Sequence, residues 1–154
     1  MPSEFAELPR HLAALRARLE ARAAGVWQVR AQNLEALAFD AAPDMASTVA
    51  AGFAAATSVV SLDRRELGVV AAVLERRPVV SVAAELPADI GSGFWLRAFG
   101  ASRSVAVPIA DPNGSIASVV SVALAAGGPS DVEVATLIRA EAAKWLSERR
   151  TDAL

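Results

Sequence analysis

The chain contains no cysteine and no tyrosine, and it has a single histidine, His11, and a single lysine, Lys144, among its 154 residues. Without cysteine it can form no disulfide, thiol nucleophile, Cys-ligated zinc site or thioether-linked chromophore. With one histidine, the usual nucleophile–base pairs lack a base. The expectation is therefore a protein that is not an enzyme and that holds no metal and no cofactor. A basic excess is missing as well: the net charge is −2, with 15 Lys and Arg against 17 Asp and Glu. A polyanion binder carries such an excess, so no nucleic-acid partner is expected. The opening residues, MPSEFAELPRH, lack a basic segment followed by an apolar one, so no signal peptide is expected. Two runs are free of charge, 45–62 and 112–130, but both are rich in Ser, Thr, Ala and Gly. Membrane-spanning helices are more uniformly apolar. No membrane partner is expected, and the chain reads as cytoplasmic.

Apolar residues make up 54% of the chain, largely alanine and valine, while aromatic residues supply 5%. That balance favours close-packed helices and β-branched strands. Leu8, Leu12, Leu15 and Leu19 fall on one stripe of a helix, with Gly25 as its stop. The stripe has two readings, packing within the domain or a seam with a second copy. Val26–Ala31 and Leu34–Phe39 read as short strands around Gln32-Asn33. Trp27 is either a core residue or a pocket wall. Asp44 is placed to cap a small-residue helix over Met45–Thr57, followed by an extended Ser58–Leu62. Asp63 and Glu66 have the spacing of a capping box. Beyond them Leu67, Val70, Ala71 and Leu74 mark an amphipathic helix that Pro78 ends. Val79–Ala83 is the next strand.

The segment 84–102 is the least regular, with Pro87, Gly91, Gly93 and Gly100. Its carboxylates, Glu85 and Asp89, straddle Pro87 and read as solvated loop charges. Connections of this length often form lids or binding loops. A hairpin follows, with Val105, Val107 and Ile109 before the turn Asp111-Pro112-Asn113-Gly114 and Ile116, Val119, Val120, Val122 and Leu124 after it. Ser130 and Glu133 form a second capping box. The last helix carries Val134, Leu137, Ile138, Ala142, Trp145 and Leu146 and runs to about Arg149.

Strands joined by hairpins, with helices at both ends of the chain, predict an α+β domain. Its antiparallel central sheet has about six strands. The terminal helices cover one face, and the short helices with the irregular segment cover the other. Residues 1–154 form one domain: an N-terminal helix over 1–24, a core over 25–126 and a C-terminal helix over 130–149.

Two stretches within residues 25–147 resemble a GAF domain, a fold of the GAF/PAS-like kind. LGVVAAVLERRPVVSVAAEL, from Leu67, is similar to the family's helix, turn and following strand, with Arg76-Arg77-Pro78 where the family often has Gly-x-Pro. GASRSVAVPIADPNGSIASVVSVAL is similar to its Gly-x-x-Ser-x-x-x-Val-Pro-Leu hairpin and returning strand. Gly100, Val107, Pro108 and Gly114 match, Ile109 replaces leucine, Arg103 stands at the serine position and Ser104 falls one place late. The resemblance implies a regulatory domain that binds a small molecule or dimerises, and that signals through a partner protein. Members that attach bilins and members that reduce free methionine sulfoxide use cysteines, which this chain lacks. The Asn-Lys-Phe-Asp-Glu set of cyclic-GMP binders is absent too. His11 lies outside the expected pocket and reads as a solvated helix residue.

Aromatic walls beside guanidinium donors suit a planar or anionic small ligand. Trp27, Phe94, Trp95, Arg97, Phe99, Arg103 and Ser104 are the candidate ligand-binding residues. The alternative is that Trp95 and Phe99 only cover the sheet, with Arg97 and Arg103 solvated or paired to Asp89 or Glu85. The homodimer expected from the leucine stripe would use Leu8, Leu12, Leu15, Leu19, Leu137 and Trp145. A ligand-free interaction module remains the second reading.

Overall fold

Alternation of large and small side chains along three central strands decides how this molecule is layered. The computed structural model describes residues 6–153, with side chains through Trp145. In chain order the elements are α1 (Leu8–Leu19), β1 (Ala23–Arg30), β2 (Asn33–Ala41), α2 (Ser47–Ala56), β3 (Val59–Ser61), α3 (Gly68–Glu75), β4 (Val79–Val82), a 3-10 turn (Ala83–Glu85), α4 (Gly91–Phe99), β5 (Arg103–Ala110), β6 (Ile116–Leu124) and α5 (Asp131–Ala153). The strands form one sheet in the order β3-β2-β1-β6-β5-β4, and every neighbouring pair is antiparallel. This is the α+β architecture expected from the sequence.

One face is built from large aliphatics. Successive strand residues point to opposite faces, so Val105, Val107 and Ile109 of β5 join Val120, Val122 and Leu124 of β6 and Val26 of β1 on one side. Helices α1 and α5 cover them with Leu8, Leu12, Leu15, Val134, Ile138, Ala142 and Trp145. The leucine stripe is therefore spent inside the domain. Leu12 is completely buried, and Leu19 and Leu137 pack at the margin of the same cluster. Of the residues expected at a dimer seam, Leu8, Leu12, Leu15 and Trp145 are buried within the domain, and Leu19 and Leu137 are partly buried against the same cluster. His11 is not simply solvated: its ring stacks on Trp145 at 5.8 Å between centroids. Leu146 lies outside the described side chains.

The ends of the elements show where local signals were overruled. Helix α1 stops at Leu19 because Glu20 takes a left-handed conformation (φ 52°), and Gly25 lies within β1 instead of closing the helix. Asp44 caps nothing and accepts a hydrogen bond from Arg22 Nη1 at 2.7 Å. The Asp63–Glu66 box does not form. Helix α3 starts later, at Gly68, and Glu66 pairs with Arg64. Its buried residues are Val70, Ala72 and Val73, and Leu74 is exposed, so the inward stripe is rotated from the one the spacing suggested. The second capping box holds: Glu133 N–H donates to Ser130 Oγ at 3.2 Å. The hairpin turn holds as well, with Gly114 at φ 85° and Asp111 Oδ1 accepting from the N–H groups of Asn113 and Ser115.

Candidate functional site

The face of the sheet away from α1 and α5 is covered unevenly. Strand β3 lies at one edge and β4 at the other, so the chain crosses this face between them through α3. Trp27, Ala106, Val119 and Leu34 pack there against Val70, Ala72 and Val73. A second apolar cluster gathers Leu96 and Phe99 of α4 with Ala23, Ala83, Ala101 and Ala123, and Phe39 and Phe53 lie against it. Where the two clusters meet, the sheet contributes the small residues Ala23, Gly25, Ser104, Ser121 and Ala123. Helices α2, α3 and α4 bridge that floor, leaving a cavity of about 290 Å³.

The cavity wall is aromatic. Phe53 of α2 makes edge-on contact with Trp95 at 5.3 Å and Phe99 at 5.0 Å, and tilts against Phe39 at 5.0 Å. Trp27 completes the wall. A Cβ on Gly25 would lie 2.5 Å from the end of the Trp27 ring, so the absence of a side chain at Gly25 makes room for the indole. The indole N–H donates to the Thr57 carbonyl at 2.9 Å, which links β1 to the end of α2. Trp27 therefore presents a ring face, with its donor already satisfied.

Polar groups are few. Ser61, Ser92, Ser104, Ser121 and Thr57 line the cavity, and Arg64 is its only charged lining residue among those described. Arg64 Nε donates to Glu66 Oε1, and that bond holds the Glu66 carboxyl below its ordinary value. The first residues of α3 (Gly68, Val69) and of α4 (Gly91, Ser92) also line it, and neither helix start carries a side-chain cap. No Asp, Glu, His or Lys reaches the lining, and no metal-ligating cluster exists among the described residues.

Of the candidate residues, Trp27, Trp95, Phe99 and Ser104 meet at this cavity, whereas Phe94, Arg97 and Arg103 do not line it. The periodicities explain the split. Trp95 and Phe99 are four apart and share the inward stripe of α4. Phe94 is rotated outward and 44% exposed. Arg97 turns to backbone, donating to the carbonyls of Ala83 at 2.8 Å and Gly93 at 3.2 Å. Arg103 and Ser104 are adjacent in β5 and must face opposite sides of the sheet. Arg103 reaches the start of α5, donating to Asp131 Oδ1 at 2.7 Å and to the Pro129 carbonyl at 2.7 Å. Neither arginine pairs with Glu85 or Asp89; Asp131 takes that part for Arg103.

Phe39, Phe53, Arg64 and the two helix starts escaped sequence reading. One signal was available: in SVAVPIA and SVVSVAL small residues alternate with large ones, which marks a strand face unable to fill its own space.

No family model matches the chain, and no curated protein matches it by sequence. Solved structures do match. The free methionine-R-sulfoxide reductase of Neisseria meningitidis, solved with its substrate, aligns with a TM-score of 0.68 at 16% identity, covering 99% of this chain and 83% of that one. A GAF domain/HD domain protein from Geobacter sulfurreducens aligns at 0.67 and 13% identity, covering 97% and 95%. The phycoerythrobilin-bound GAF domain of a cyanobacterial phytochrome aligns at 0.58 and 13%, covering 95% and 86%. The chain has the GAF-like fold.

Proposed function

We propose that this chain is a non-catalytic sensory domain that binds a small molecule in the cavity beneath α2, α3 and α4 and signals to a partner protein. The cavity carries the reading. A stretch of sheet floored by Ala23, Gly25, Ser104, Ser121 and Ala123 leaves space that no side chain of this chain fills. Proteins pack their interiors closely, and an apolar cavity with a few convergent polar groups is the usual form of a ligand site. The aromatic wall supplies most of the contact area. Structural neighbours that hold a substrate or a bilin show that the fold accommodates ligands.

The non-catalytic part rests on chemistry. Among the described residues, five hydroxyl-bearing ones line the cavity, and no imidazole, carboxylate, amine or thiol in the lining stands beside them to act as a base. The fold is shared with reductases, yet a chain without cysteine cannot run thiol chemistry. Output passes through surface other than the buried Leu8–Leu19 stripe. No helix among the described residues is long and apolar enough to cross a membrane.

Native mass spectrometry of the freshly purified full chain tests the reading, alongside Ser121→Leu, which fills the floor. A retained small molecule that Ser121→Leu expels supports it. A ligand retained equally by both proteins places the site elsewhere. A chain that retains nothing, and whose melting temperature no compound in a metabolite library raises, favours the ligand-free interaction module.

A further inference from the structure

Resting on the reading of the cavity as a binding site, we infer the class of its occupant: a small monoanion with a flat apolar body, of the arylalkyl carboxylate kind. Three observations converge on this class. The first is size. At about 290 Å³ the cavity stands at the lower end of the range for ligand pockets, roughly 300–1,000 Å³. One ring with a short side arm suits it better than a fused polycycle.

The second is shape and polarity of the wall. Phe39, Phe53, Trp27, Trp95 and Phe99 all contribute to the lining and pack against one another through edge-on and tilted contacts, so the wall matches a flat apolar guest. The Trp27 N–H is spent on the Thr57 carbonyl, so this wall offers no donor from that indole.

The third is charge. Among the described residues, Arg64 is the only charged one in the lining, and no carboxylate shares the lining with it. A cationic guest would meet a like charge and no counter-ion. An anionic guest meets a guanidinium whose Nε pairs with the half-exposed Glu66, an arrangement that a ligand carboxylate can join or replace. The starts of α3 and α4 add to this. Their first-turn N–H groups lack a side-chain cap, and both helices begin on the cavity. The cavity and the guanidinium define the site, and the helix starts reinforce its sign.

The test titrates the full chain with phenylacetate, phenylacetamide and phenethylammonium, which share a ring and differ in charge. Tryptophan fluorescence and calorimetry read binding, on the wild type, Arg64→Gln and Ser121→Leu, with Ser104→Val as the filler if Ser121→Leu does not fold. Phenylacetate is expected to bind at least tenfold more tightly than either analogue. Arg64→Gln is expected to remove most of that preference without altering the melting temperature, and the filled cavity to bind none of the three. Equal or tighter binding of phenethylammonium or phenylacetamide, abolished by the filler, overturns the anion and leaves the cavity standing as a site. Preference for phenylacetate that survives Arg64→Gln overturns the role of Arg64. Binding of none of the three by the wild type overturns the ligand class, and native mass spectrometry then decides separately on the cavity.

Discussion

Replacing Arg103 by alanine should cost the domain stability and leave the cavity untouched. Sequence reasoning placed this arginine at the pocket, where its loss would weaken a ligand and spare the fold. The structure gives its guanidinium other partners, away from the cavity lining. Arg103 sits on β5 with its guanidinium over the loop that leads into α5. Its Nε meets Asp131 at 2.7 Å, and its Nη atoms reach the carbonyls of Pro129 at 2.7 Å, Gly127 at 3.2 Å and Ala125 at 3.4 Å. Its side chain is 15% exposed, whereas that of Asp131 is 44% exposed, so the ion pair is discounted for solvent screening. Hydrogen bonds to a charged group contribute about 1.5–3 kcal/mol each when well formed. The bond to Pro129 falls in that range, the ion pair adds about 0.5–1 kcal/mol, and the two longer contacts add little. The sum is about 2–4 kcal/mol, or a fall in Tm of about 4–16 °C for a domain of this size. Differential scanning calorimetry of Arg103→Ala against wild type measures it, and titration with any cavity ligand provides the control. A Tm within 2 °C of wild type would mean that the clamp on α5 carries no energy. Affinity lost without stability lost would return Arg103 to the site.

Other expectations follow from the same geometry. Val107→Asp places a carboxylate at a completely buried position under α1 and α5, and should leave the chain unfolded by circular dichroism, since the cost is several kcal/mol; a native-like melt would contradict the facing assigned to β5. Gly25→Ala should push the Trp27 ring from its place and weaken its bond to Thr57, costing about 1–3 kcal/mol and shifting tryptophan emission; an unchanged spectrum would refute the close approach. Ser130→Ala should cost about 1 kcal/mol through the first turn of α5, measured by urea denaturation. The hydrogen bond from Arg22 lowers the Asp44 carboxyl below its ordinary 3.8. The stability this contributes is present above that value and is lost as the pH falls through the lower, folded value. Any difference in Tm between wild type and Asp44→Asn should therefore disappear at the acid end, and a difference that grows with acid would refute the pairing.

Much of the fold could be read in the sequence because it depends on period. Alternation in SVAVPIA and SVVSVAL, the DPNG turn and the Ser130–Glu133 box are local signals that the tertiary structure leaves in place. The cavity was legible only in part. Trp95 and Phe99 lie four apart on one helix and Ser104 on the inward face of β5, so they could be found. Arg97 and Arg103 were misplaced by nearness in the chain: residues close in sequence point apart on a strand or a helix. Phe53 and Arg64 reach the cavity from elements whose orientation is set by the crossing of α3, which no local pattern encodes. Capping was misjudged at Asp44 and Asp63 for a related reason, because a distant arginine in one case and a delayed helix start in the other took the side chains that the caps required.

The two faces of the sheet divide labour in a way that bears on how such a domain can change. One apolar core lies where Val105, Val107, Val120, Val122 and Leu124 meet the terminal helices. Chemical selectivity, in the reading above, resides on the opposite face at Ser104, Ser121 and Ala123. Each of these residues is the immediate chain neighbour of a core valine or leucine, yet the pleat keeps their side chains from sharing partners. Such separation reduces the coupling between substitutions on the two faces, and the shared backbone remains their link. Single mutations on the floor therefore act on the cavity and on its own apolar cluster, and leave the valine face on the far side in place. A library confined to those three positions would test how far the cavity floor can vary before the apolar cluster of Ala23, Leu96, Phe99 and Ala123 gives way.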